Sequence, residues 1–136
     1  MYSSDIVVAI FHHVGKHDRK LRLSRGQMHD AFGRLREMDP DLLPFIRNSQ
    51  DKRHKGLSEA LDKLERAKLI RRGLLGRACE ITEDLDLSYE AFVKPDLHLR
   101  GIKEKRFSDL AEALVKMAGG IVKSRSRWMT SKRGMF

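Results

Sequence analysis

The sequence predicts a mainly α fold that carries a small β-hairpin. Three observations predict it. Apolar residues recur at three- and four-residue steps in four separate segments, the spacing of one helical face. Capping residues stand ahead of the first two of those segments. A pair of short runs closes around Gly73 to Gly76, the pattern of two strands and a tight connection.

The first helix follows from Ser3, Ser4 and Asp5 as capping side chains and from Ile6, Val7, Ile10, Phe11 and Val14 at helical steps. Gly15 is expected to end it in the left-handed conformation, which glycine enters without a side-chain penalty. A basic loop follows, then Leu21-Arg22-Leu23, long enough for one short strand. Ser24 and Gln27 have the spacing of a capping box and open a second helix, whose buried stripe is expected to be Met28, Ala31, Phe32, Leu35 and Met38. Asp39-Pro40 is another start signal, and Leu42, Leu43, Phe45 and Ile46 supply an apolar face, but Pro44 removes a hydrogen bond, so a short or broken helix is expected. Residues 48–56 contain no hydrophobic side chain and read as a loop.

The clearest helix is expected over about 57–68, with Leu57, Ala60, Leu61, Leu64 and Ala67 on one side. Leu69 to Arg72 and Arg77 to Ile81 are the expected hairpin strands. Residues 82–99 show no sustained period and are interrupted by Pro95. A last helix is expected over 107–122, followed by a basic, mobile tail at 123–136.

The chain has 136 residues, with 28 Lys plus Arg against 19 Asp plus Glu, for a formal charge of +9. Residues 83–100 are net acidic, whereas 101–136 carry nine basic and three acidic groups. Such a balance favours a polyanionic partner, nucleic acid first. The longest apolar run, Ile6 to Phe11, is far below the ~20 residues of a membrane span, and the N-terminus lacks a signal-peptide pattern. A single cysteine, Cys79, forms no internal disulfide and points to a reducing, cytoplasmic location.

The order helix, strand, helix, short helix, helix, hairpin resembles a winged helix-turn-helix domain. Residues 57–85, LSEALDKLERAKLIRRGLLGRACEITEDL, look like the recognition helix and wing of the MarR and PadR families of bacterial regulators. Ser58, Leu64, Glu65, Leu69 and Ile70 match the helix pattern. Arg71, Arg72 and Arg77 match the basic wing, and Ile81-Thr82-Glu83 matches the exit. Lys68 stands where those families have glycine, so the turn after the helix is expected to be built differently.

The resemblance implies a winged-helix domain at 1–85, an acidic connector and C-terminal helix at 86–122, and the basic tail at 123–136. It also implies a regulator that binds double-stranded DNA with this helix in the major groove. The implied contacts are Lys52, Arg53, His54, Lys55, Ser58, Glu59, Asp62 and Lys63, with Arg71, Arg72 and Arg77 on phosphates beside the minor groove. The alternative is a winged-helix protein-interaction module, or an accessory subunit of a larger nucleic-acid-associated complex, in which the helix acids meet a basic partner.

Other features carry less. The six histidines are too scattered for a three- or four-ligand zinc site, and no cofactor or metal is expected. Cys79 reads as a buried small hydrophobe. No set of nucleophile, base and oxyanion donors can be assembled, so an enzyme is not expected. Phe107, Leu110, Leu114, Met117 and Ile121 repeat at alternating steps of three and four, a stripe that packs on the domain's own core or against a second copy. The resemblance implies the second destination, a homodimer. Trp128, set among basic residues, reads as an anchor of the tail against the domain or a partner chain.

Overall fold

The computed structural model describes residues 2–46, 54–73 and 76–134, with side chains described to residue 119. Helix α1, Ser3–Val14, lies at the centre. Residues Ile6 to Phe11 are all buried, so α1 is covered on more than one side, as an apolar helix requires. The helices α3 and α6 and the segment around Tyr89 pack on it. That enclosure outweighs the strand preference of Val7 and Val8. Asp5 reaches back to accept from the Tyr2 N–H at 3.3 Å, which places the cap one residue earlier than expected. Gly15 sits at φ −60°, not in the left-handed region, because the chain continues through right-handed turns to His17.

After β1, Lys20–Leu21, helix α2 spans Arg25–Met38. Its capping box is formed as expected: the Gln27 N–H donates to Ser24 Oγ at 3.2 Å, and the Ser24 N–H donates to Gln27 Oε1 at 2.9 Å. Met28, Ala31, Phe32 and Leu35 are buried, but Met38 is exposed. Phe32 meets Phe11 edge-on at 6.2 Å between centroids.

Residues 39–46 form turns and not the expected short helix. The Asp39 carboxylate accepts from the Leu42 backbone N–H, as a cap does, yet no helix follows. It is gripped by the Arg106 guanidinium through Nε at 2.9 Å and an NH2 group at 2.6 Å. This fork holds the Asp39 carboxyl below the usual carboxylate range. Leu42, Leu43 and Ile46 still reach the core.

Helix α3, Lys55–Arg66, buries Leu57, Ala60, Leu61 and Leu64, while Ala67 is an exposed C-cap. Strands β2, Ile70–Gly73, and β3, Ala78–Ile81, form the hairpin. The sheet is antiparallel in the order β1-β3-β2, with Ile70 opposite Ile81 and Leu21 opposite Cys79. Cys79 is buried, and burial pushes its thiol up to about 12.

The unassigned stretch before Leu99 is helical throughout. Helix α4, Glu83–Ser88, leads into a π-helical stretch, Tyr89–Val93, and α5, Lys94–Leu99. The Lys94 N–H bonds to Tyr89 O, a widened turn immediately before Pro95. Widening relieves the clash between a proline ring and the carbonyl one turn back, which is why proline does not stop this helix. Helix α6 spans Glu104–Gly134, so residues 123–134 are helical and not an irregular tail. One continuous apolar cluster runs from Ile6 to Ala118, and the expected boundary at 85 does not divide it. Among the described residues no helix is long and apolar enough to cross a membrane.

Candidate nucleic-acid interface

The amphipathic period of α3 buries one face and leaves Lys55, Glu59, Asp62, Lys63 and Arg66 exposed on the other. Beside it, the hairpin exposes Arg71, Arg72 and Arg77. The two groups are joined by a charged network. An Arg25 NH2 group, at the start of α2, lies 3.0 Å from Asp62 and 2.9 Å from Glu65, and Arg72 reaches the same Glu65 at 3.3 Å. Two of the three acids on this side of the helix are therefore neutralised within the chain.

By contrast, Lys55, Arg66, Arg71 and Arg77 form no ion pair among the described residues. The Lys63 ammonium lies 5.5 Å from the centroid of the Tyr2 ring, a cation–π distance. Glu59 is the exposed acid of α3 that forms no ion pair among the described residues.

The entry to α3 is held by histidine. His29 is buried, and its Nδ1 accepts from the His54 backbone N–H at 2.8 Å. An accepting Nδ1 carries no proton, so the proton resides on Nε2, which donates to Ser58 Oγ at 3.2 Å. The two imidazoles stack at 5.6 Å. His54 and Ser58, expected to face DNA, are thus engaged inward. Ser58 retains its hydroxyl hydrogen as a donor, whereas the His54 ring belongs to the packing of α2 on α3. Lys52 and Arg53 lie outside the described residues.

The exit from α3 resembles a glycine-terminated turn, built with lysine. Lys68 takes φ 63°, and the N–H groups of Leu69 and Lys68 bond to Leu64 O at 2.9 Å and Glu65 O at 3.1 Å. The expectation of a different turn is corrected: the geometry is retained and Lys68 bears the strain. Thr82 Oγ1 donates to the carbonyls of Lys68 and Leu69, which ties the end of β3 to this turn.

The dimer stripe is also corrected. Phe107, Leu110 and Leu114 are buried in this chain's own core, and Met117 packs against it. A side chain already enclosed on α1 and α2 has no face left for a second copy. The Ile121 side chain lies outside the described ones.

The sequence reading missed Arg25, Arg66 and His29. Arg66 was legible from the period of α3. Arg25 and His29 act on residues 25 to 40 positions away, and no local pattern announces such a pairing. It also missed a polar cluster on α1. His12 stacks on Tyr89 at 4.0 Å and its Nδ1 lies 2.8 Å from Asp86, which Arg19 also engages. Tyr89 donates to Glu104, and burial together with this bond raises the phenol's affinity for its proton. His13 is buried, its Nε2 lacks a partner, and desolvation with the nearby Lys16 and His12 lowers it to about 4.

Comparison with protein families, with curated proteins and with solved structures finds no match to this chain.

Proposed function

We propose that this chain is a winged helix-turn-helix domain that binds double-stranded DNA as a transcriptional regulator. Helix α3 enters the major groove and the hairpin rests on the flanking phosphates. The element order and the β1-β3-β2 sheet suit that reading.

One observation carries it. Asp62 and Glu65, the acids that would repel phosphate, are held by Arg25 and Arg72, while Lys55, Arg66, Arg71 and Arg77 remain outside the ion pairs. Internal pairing turns a helix of mixed charge into a face that a polyanion can approach. Lys55 opens α3, where helix N-termini meet base edges and backbone, and Arg71 and Arg77 stand on the hairpin strands and loop. Glu59 is placed to accept from a cytosine amino group.

The test is anisotropy titration of a duplex pool across a salt series. Arg71→Glu with Arg77→Glu is expected to weaken binding at least about tenfold and to flatten the salt slope by about 0.9 per lost phosphate contact. Glu59→Ala is expected to change which sequences are selected from the pool more than the salt slope. A duplex affinity that neither charge reversal nor salt alters would overturn the reading.

A further inference from the structure

The helical segment 83–99 has two apolar faces. Leu85, Tyr89, Val93 and Leu97 repeat every four residues and are buried on the core. Two residues out of phase, Leu87, Ala91, Pro95 and Leu99 also repeat every four, on the opposite side, and all are exposed. The widened turn at Tyr89–Val93 keeps a four-residue repeat aligned where a regular helix would drift. Phe92 stands beside this second stripe. Leu87, Phe92 and Leu99 are 67%, 75% and 87% exposed, a concentration of large apolar side chains that a helix facing only water does not carry.

We propose that this stripe is an interface for the basic end of α6, residues 121–134, of a second copy of the chain. Charge selects that occupant. Of the five acids in residues 83–100, Asp86, Glu90 and Asp96 pair with Arg19, Lys94 and Arg100, while Glu83 and Asp84, one turn before Leu87, are exposed and form no ion pair among the described residues. From Lys123 to Arg133 the chain has five bases and no acid, and Ile121 and Trp128 stand seven residues apart, the spacing of one helical face.

At the Leu99 end of the stripe, geometry places the Trp128 contact between copies. Trp128 lies 24 residues into α6, about 36 Å along the axis from Glu104 at 1.5 Å per residue. Leu99 is five residues before Glu104 and therefore within about 18 Å of it. The two stay at least about 18 Å apart within one chain, whereas packed helices need 8–10 Å. Two copies can exchange basic ends across the two acidic–apolar stripes, closing a symmetric pair. This interface takes Ile121 from the end of the Phe107 stripe but none of its buried members, Phe107, Leu110 and Leu114, and is independent of the DNA reading.

Sedimentation equilibrium of the full chain without DNA tests it. In low salt the mass is expected near twice 15.7 kDa, falling toward 15.7 kDa in high salt. Phe92→Ser with Leu99→Ser is expected to give the monomer with an unchanged circular dichroism spectrum, since both side chains are exposed. Glu83→Lys with Asp84→Lys, and separately Lys123→Glu with Arg125→Glu and Arg127→Glu, should each weaken association at least about tenfold. An equimolar mixture of those two variants should recover the dimer, because each basic segment then meets an acidic one. A chain that stays monomeric in low salt, a dimer indifferent to Phe92 and Leu99, or a mixture no better than its components would each overturn the proposal. The mixing result decides even if the serine variant misfolds.

Discussion

Lys68 is the residue on which the exit from α3 turns. Among the described non-glycine residues it alone has positive φ, a conformation that costs a side-chain-bearing residue about 1 kcal/mol. Lys68→Gly is expected to stabilise the chain by about 0.5–1 kcal/mol in urea melts, the gain reduced by the greater freedom of glycine when unfolded. A loss of stability would show that the lysine side chain makes a compensating contact.

His13 has the opposite character: it fits its place only when neutral. Its folded value of about 4 lies below the unfolded 6.5, so the unfolded chain binds the extra proton between those limits. Stability is therefore complete above pH 6.5 and is lost as pH falls toward 4, on the order of 2 kcal/mol between pH 7 and pH 5. Urea melts of His13→Leu should show a shallower fall over that interval. Parallel curves for the two proteins would assign the loss to other groups.

At the scale of elements, glycines that look alike in the sequence differ in what surrounds them. A Cβ on Gly119 in α6 meets nothing within 4 Å, whereas one on Gly56 in α3 would lie 3.0 Å from Phe45 Cβ and 3.2 Å from the Phe45 carbonyl oxygen. Gly119→Ala is expected to raise stability by about 0.5–1 kcal/mol through helix propensity. Gly56→Ala is expected to lower it, since Phe45 and its carbonyl must shift. Thermal midpoints moving in the same direction for both would refute the contrast.

The elements themselves were legible to unequal degrees. The capping box of α2, the stripe of α3 and the hairpin rest on interactions within a few residues, and such patterns are visible in one dimension. Asp39-Pro40 opens turns and not a helix: Pro44 has no N–H for the bond back to Pro40 that would continue one, and Arg106, 67 positions away, also grips the Asp39 carboxylate. Residues 83–99 defeated periodicity for two reasons. Apolar side chains occupy both faces, and Pro95 hides inside a helix that the π-helical stretch lets continue.

At the scale of the molecule, α1 organises the core: α3, α6 and the Tyr89 region all close on it. The stripe of α6 belongs to that enclosure. Phe107→Ala is therefore expected to cost about 3–5 kcal/mol of folding stability, with a urea midpoint independent of chain concentration in high salt, where the chain is monomeric. A mutant that keeps its stability and loses only self-association would return Phe107 to an interface.

The candidate DNA face was only partly legible in the same way. The period of α3 and the hairpin arginines named Lys55, Lys63, Arg71 and Arg77 as outward groups, and they are exposed. The period could not say that His54 and Ser58 turn toward His29, or that Arg25 neutralises Asp62 and Glu65.

By itself, then, the sequence determined a mainly helical chain with a small sheet, the buried stripes of α2 and α3 apart from their last members Met38 and Ala67, and an excess of basic charge. Caps, periods and net charge act locally or add without regard to position. The tertiary structure alone decided which charges cancel, which apolar stripes are enclosed and which are left open. Those outcomes depend on side chains meeting across tens of residues, and only packing around α1 brings them together.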